Sequence, residues 1–262
     1  ADSNQMAMLP AGACKPSYCV PATMRKGAQA MSSRARVVII DFVGLQGFSA
    51  KEIVANLSSQ WPGLRAEHIG FPEMEAGAQI FPEVMARALE VRATREAFAE
   101  RLKSIIGDAE YLALPAILGI HRPDTIHSEM EKLVGLPIFE IPTIPPAVAG
   151  IRLRELFDQQ LPAIGATTIS QHKVERVAFE EHTIRLFLKD NHGPVEVEAN
   201  YMILASGRFL SGGLKASQTR INEALLDIPV HQPDTREDWF TEPYFDPDGH
   251  AVNQSGILIN DN

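Results

Sequence analysis

Three rhythms of apolar and polar residues run along this chain. Arg36 to Phe42 (R-V-V-I-I-D-F) is almost unbroken apolar, β-branched sequence, the pattern of a strand covered on both faces in a parallel sheet. Shorter runs at Ala66–Gly70, Tyr111–Leu114 and Ile138–Ile141 predict three more strands. Helical spacing fills the intervals. Lys51 to Leu57 follows Ser49, whose hydroxyl can cap the first free amides of a helix. A longer helix is predicted from about Pro82 to Ile106, with Pro82 in its first turn and Val84, Ala88, Val91, Ala97, Leu102 and Ile105 buried. Another runs from Asp124 to Val134, opened by Pro123 and closed by Gly135. Strands alternating with helices at this spacing predict a parallel, doubly wound α/β lobe over residues 34–141.

The rhythm changes after Pro142. Val148 to Leu161 places apolar residues at Val148, Ile151, Leu153, Leu156, Phe157 and Leu161, which predicts one amphipathic helix. Val174–Phe179, Thr183–Leu188 and Pro194–Glu198 alternate apolar and polar residues, with Glu180-Glu181-His182 and Asp190-Asn191-His192-Gly193 as turns, and predict a three-stranded antiparallel meander. Tyr201 to Ala205 has no alternation and ends in Ser206-Gly207, which predicts a strand buried on both faces; ligands of open parallel sheets sit outside the carboxyl ends of such strands. A second glycine turn, Ser211-Gly212-Gly213, precedes a short helix near Asn222–Leu226 and a proline-rich acidic tail. In that tail Trp239, Phe240, Tyr244 and Phe245 either pack against the body or wall a pocket. Pro10, Pro16, Pro21, Gly12 and Gly27 make residues 1–33 an irregular surface segment. The expected division is therefore 1–33, 34–141 and 142–262.

Composition narrows the function. The 262 residues can bury a sizeable core, and 33 acidic against 24 basic side chains give a net charge of −9, which excludes a general nucleic-acid binder. A small anion remains open, because a few local arginines can outvote the net charge. No apolar run approaches the ~20 residues of a spanning helix and no signal peptide is visible, so a cytoplasmic location is expected, with membrane contact only through a partner. The two cysteines, Cys14 and Cys19, fit a reducing compartment and lack metal-ligand spacing, so no metal site is expected. His121 and His127 flank a loop-to-helix segment and read as solvated or capping side chains. Gly44 and Gly47 follow a strand without the spacing of a G-x-G-x-x-G nucleotide turn, and no phosphate loop of the G-x-x-x-x-G-K-[ST] type occurs.

Three stretches are more specific: L-P-A-I-L-G from Leu114, P-T-I-P-P-A-V-A-G-I-R-L from Pro142 and L-A-S-G-R-F-L-S-G-G-L from Leu204. From about Arg36 to its end the chain resembles the family of bacterial anaerobic glycerol-3-phosphate dehydrogenase B subunits. The helix, meander and apolar strand of 142–208 resemble the latter half of the flavin core in two-dinucleotide-binding flavoproteins. The resemblance implies a partial, Rossmann-like flavin-binding core with an antiparallel β-meander, beside the inserted parallel lobe. It implies FAD or FMN, with backbone contacts at Ala205, Ser206 and Gly207, where small side chains allow close approach. Ser211, Gly212 and Gly213 either do the same or form only a bend. It further implies oxidation of sn-glycerol 3-phosphate to dihydroxyacetone phosphate, with electrons passed through flavin to a quinone pool in anaerobic respiration. The implied partners are a larger flavoprotein subunit and an iron–sulfur subunit. A phosphorylated substrate calls for guanidinium forks, and Arg152 and Arg208 are the nearest candidates, with Arg122 more distant. Each has the alternative of a solvated salt bridge. His121 is a conceivable acceptor for the hydroxyl proton, but no motif identifies a catalytic base.

Two parts of the family pattern are missing: the amino-terminal G-x-G-x-x-G unit that cradles the flavin pyrophosphate, and the final glycine-rich segment near the flavin ring. The sequence is therefore expected to be an internal piece of a longer protein that binds flavin poorly or not at all by itself. The alternatives are a non-catalytic scaffold or electron-transfer subunit, and a flavin-dependent oxidoreductase of different substrate.

Overall fold

The computed structural model describes residues 4–72, 74, 78–190, 193–230 and 232. Trp239, Phe240, Tyr244 and Phe245 lie outside the described residues. The chain divides into two compact units, residues 1–167 and 168–262, each described by itself. The expected boundary between Ile141 and Pro142 lies inside the first.

The first unit is built on a parallel sheet of β3 (Val37–Phe42), β4 (Leu64–Ile69), β5 (Tyr111–Pro115) and β6 (Ile138–Ile141), in the order β4-β3-β5-β6. Val38 lies opposite Arg65 on one side and Leu112 on the other, and Ala113 opposite Phe139. Val37 to Ile40 are buried on both faces, as their unbroken apolar run requires. The intervening helices are α2 (Ala50–Leu57), α3 (Pro82–Ala88), α4 (Arg92–Lys103) and α5 (Pro123–Val134). Ser49 caps α2 by accepting the Glu52 amide at 3.3 Å, and Gly135 closes α5 at φ 84°. Phe42, Phe71 and Phe98 meet with ring centroids 5.4–5.7 Å apart at the centre of the core.

Two expectations for this unit are corrected. The helix predicted over 82–106 is broken at Leu89-Glu90-Val91, where Arg95 Nη1 donates to the carbonyls of Leu89 and Glu90 at 2.8 and 2.9 Å. The break re-phases the buried face: Met85, Ala86, Leu89, Phe98, Ala99 and Leu102 are buried, whereas Val84, Val91 and Ala97 are exposed. The amino-terminal segment is not irregular. A hairpin of β1 (Gln5–Met8) and β2 (Cys14–Ser17) and the helix α1 (Arg25–Ser33) precede the sheet, and Met8 and Ala30 enter the core. Its prolines occupy positions that tolerate a missing donor: Pro10 at the hairpin tip, Pro16 in a two-stranded ribbon and Pro21 before a 3-10 turn. The unit ends with α6 (Val148–Ala163), where the sequence predicts it, but only Val148 is fully buried, against Ala86 and Ile120. Leu153, Leu156 and Phe157 are exposed.

The second unit opens with the predicted meander, β7 (Lys173–Phe179), β8 (Ile184–Asp190) and β9 (Gly193–Ala199), paired in that order. Arg176 lays its guanidinium 3.5 Å from the centroid of the Phe187 ring on the neighbouring strand. Tyr201–Ala205 departs from expectation. It pairs with no strand among the described residues, and it exposes alternate side chains, Tyr201 by 90% and Ile203 by 92%. An apolar run becomes a buried strand only where a sheet edge and a covering layer receive it, and among the described residues neither lies against it. The helix expected near Asn222–Leu226 is replaced by a small hairpin, β10 (Leu214–Ala216) with β11 (Ile221–Glu223). The Glu223 carboxylate accepts the amides of Leu225 and Leu226, which turns the chain instead of coiling it.

Candidate functional site

The order β4-β3-β5-β6 reverses direction between β3 and β5, so the carboxyl ends of these two strands form the topological switch point where open α/β sheets take ligands. The turn after β3 is hydrogen-bonded to other segments of its own unit. Gly44 sits at φ 84° with its carbonyl accepting the Ile80 amide at 2.8 Å, and the Gly47 carbonyl accepts the Ile144 amide at 3.0 Å. These glycines serve turns against the chain itself.

The loop after β5, residues 116–122, carries the polar density. Its amides come in two pairs, and each pair converges on one carboxylate oxygen. Ile117 and Leu118 donate to Glu140 Oε1 at 2.8 and 2.6 Å, and Ile120 and His121 donate to Glu90 Oε1 at 2.8 and 2.9 Å. Glu140 projects from the otherwise apolar strand β6 and its side chain is fully shielded from solvent. Arg152 of α6 meets it fork to fork, Nη1 to Oε2 at 2.6 Å and Nη2 to Oε1 at 2.9 Å, while its Nε donates to the Gly119 carbonyl at 2.8 Å. Thr23 adds its hydroxyl to Oε2 at 2.6 Å. Burial by itself would raise the Glu140 carboxyl; hydrogen bonding to Arg152, its charge, Thr23 and the Leu118 amide outweigh burial and hold it below the ordinary carboxylate value. Glu90 is also held low: burial opposes, but the Ile120 and His121 amides and the nearby charges of His121 and Arg122 prevail.

The two sets of expected site residues fall in different units. In the first, Arg152 has its fork engaged by Glu140. His121 Nδ1 lies 2.8 Å from Glu155 Oε2, and Arg87 approaches the other oxygen of Glu155 to 4.0 Å. Arg122 precedes α5 and makes no side-chain hydrogen bond or ion pair among the described residues. His127 is a buried core histidine, with Nε2 2.8 Å from the Ile138 carbonyl. Cys14 is half-buried, which pushes its thiol up, and no group of metal-binding side chains occurs among the described residues.

In the second unit, Ala205-Ser206-Gly207 and Ser211-Gly212-Gly213 fold onto one another. Ser211 Oγ donates to the Ser206 carbonyl at 2.7 Å, and the Gly213 amide to the Arg208 carbonyl at 2.9 Å. A Cβ on Gly207 would run into Ser211, and one on Gly213 would lie 2.6 Å from Ser206 Oγ. The close approach that glycine allows is thus used within the turn. Arg208 contributes its carbonyl to this turn, and its guanidinium has no ion-pair partner among the described residues. In the first unit the amides of Ile117, Leu118, Ile120 and His121 are likewise engaged, by Glu140 and Glu90.

Glu90, Glu140, Glu155 and Thr23 were not singled out by sequence. A signal existed for one of them: a carboxylate inside I-F-E-I, a strand covered on both faces, must find donors or lose its charge.

The family described as FAD binding domain matches residues 4–262. The chain is also similar to proteins named as the B subunit of anaerobic glycerol-3-phosphate dehydrogenase. That of Yersinia pestis bv. Antiqua (strain Antiqua) is 27% identical over 252 residues, covering 93% of this chain and 58% of the relative. Another, from Pectobacterium atrosepticum, is 24% identical over 263 residues, covering 98% and 62%. That of Aliivibrio fischeri is 31% identical over 184 residues, covering 66% and 40%. Across the first two the chain spans about three fifths of the relatives' length (58% and 62%). No solved structure matches the chain. No described helix is long and apolar enough to cross a membrane.

Proposed function

We propose, since this chain belongs to the FAD binding domain family, that the full-length protein is a flavin-dependent oxidoreductase acting on sn-glycerol 3-phosphate. The product is dihydroxyacetone phosphate, and the electrons pass through the flavin towards a quinone pool in anaerobic respiration. The observation that carries this reading is a family match over residues 4–262 together with relatives that share one name. Of the two flavins expected from sequence, FAD is the one the family takes, and FMN is set aside. The relatives are named as one subunit of an enzyme, which supports a multi-subunit assembly; a larger flavoprotein subunit and an iron–sulfur subunit are the proposed partners. The protein would work in the cytoplasm, at the membrane only through that assembly. Arg208, whose guanidinium has no ion-pair partner among the described residues, is the proposed phosphate ligand of the second unit, and Arg122 is a separate candidate within the first; Arg152 serves first as the counter-ion of Glu140.

A second reading has one specific observation behind it. The relatives are named as one subunit of an enzyme, which leaves room for a scaffold or electron-transfer subunit whose partner performs the chemistry. The test is an absorbance spectrum of the full-length protein, purified with and without its partners. Flavin bands in the protein alone, bleached by glycerol 3-phosphate without oxygen, support the oxidoreductase. Bands that appear only with the partner overturn it in favour of the scaffold.

A further inference from the structure

We propose that the turn Gly119-Ile120-His121-Arg122 is an anion-binding cradle, suited to a phosphate monoester, that Glu90 holds shut. It follows β5 on one side of the switch point. Gly119 stands at φ 77°, and the next two amides converge on a single oxygen, the arrangement by which backbone nests bind anions. A Cβ on Gly119 would lie 3.0 Å from that oxygen, so the bare backbone is needed for the approach. The oxygen belongs to the chain's own Glu90.

The two carboxylates on this loop differ in whether they can leave. Glu140 is fully buried and tied to Arg152 and Thr23, so removing it would strand a buried guanidinium. Glu90 is only partly buried, and among the described residues no cationic side chain forms an ion pair with it, although the charges of His121 and Arg122 lie near. Its backbone is pinned by Arg95 through the Leu89 and Glu90 carbonyls, so a change of side-chain rotamer alone opens the cradle. Arg122 follows the two amides with a guanidinium that makes no side-chain hydrogen bond or ion pair among the described residues, and it supplies the charge a phosphate needs. His121 Nδ1 lies 2.8 Å from Glu155 Oε2, and Arg87 lies 4.0 Å from the other oxygen of Glu155.

The choice of a phosphate monoester rests on the proposed oxidation of glycerol 3-phosphate; the cradle itself does not. The test titrates the 262-residue chain with inorganic phosphate and, separately, with glycerol 3-phosphate, following the Ile120 and His121 amide resonances. Glu90→Ala is expected to bind phosphate at least ten-fold more tightly than the unaltered chain, with shifts centred on those amides. Adding Arg122→Ala to it is expected to remove that gain. A folded Glu90→Ala with unchanged affinity, or shifts centred elsewhere, overturns the proposal. Glu90→Gln, which keeps an acceptor oxygen without the charge, should show a smaller gain. Loss of fold in both variants also overturns it, since Glu90 would then be as structural as Glu140. Phosphate bound at these amides in a protein whose flavin glycerol 3-phosphate does not bleach keeps the cradle and sinks only the oxidation. Bleaching without amide shifts does the reverse.

Discussion

Glu140 and Arg152 form a buried, two-point ion pair, 2.6 and 2.9 Å long, that ties the last strand of the parallel sheet to the helix that follows it. Each leaves the other stranded if removed alone. Arg152→Ala is expected to destabilise the first unit by about 3–5 kcal/mol, while replacing both residues by leucine costs much less, because no uncompensated charge remains. Denaturant unfolding monitored through Trp61, buried and bonded to the Ala35 carbonyl at 2.8 Å, reads this out in a Trp239→Phe background. Equal losses in the single and double variants would contradict it.

Acid should act on the same loop. Glu90 and Glu140 both have folded carboxyl values below the ordinary 4.5. A depressed carboxyl contributes stability that is fully present above its unfolded value and is lost as pH falls through its folded value. Stability of the first unit should therefore be flat from neutral pH down to about 5 and fall below about 4.5, with a shallower fall in Glu90→Gln. Melting temperatures across that range check the sign.

Gly119 is expected to tolerate no side chain. At φ 77° with Ile126 in the path of a Cβ, Gly119→Ala should cost about 1–3 kcal/mol. Gly135, also at positive φ but with nothing near, should lose only the backbone part of that amount. Comparing the two melting shifts separates strain from clash.

The break in the long helix makes opposite predictions for neighbouring residues. Phe98→Ala removes one ring of a mutually packed aromatic trio and should cost about 3–5 kcal/mol. Val84→Ala and Val91→Ala, on exposed positions, should stay within about 0.5 kcal/mol. A continuous helix buried on the valine face would reverse that order in the same unfolding assay.

In the second unit, Tyr201→Ser and Ile203→Ser should leave the stability of this chain within about 0.5 kcal/mol, because both side chains lie in solvent. A loss above about 2 kcal/mol would show that the run is buried as a strand.

Apolar periodicity determined the parallel strands, α2, α5, α6 and the meander, because each is fixed by a local repeat and by neighbours such as Ser49, Pro123 and Gly135. Motif resemblance determined the family, since strings such as P-T-I-P-P-A-V-A-G-I-R-L carry more information than any periodicity. What the sequence alone left undecided depended on distant partners. Leu89 to Val91 read as helix until Arg95 and the 120–121 amides claimed their polar groups, and Arg152 read as either a phosphate fork or a solvated salt bridge until Glu140, twelve residues earlier, faced it in the interior. Tyr201–Ala205 shows the converse: an apolar run states that it can be buried, but only the tertiary structure decides whether a sheet is there to bury it. Local pattern sets what each segment prefers, and long-range burial and charge pairing set which preference is realised.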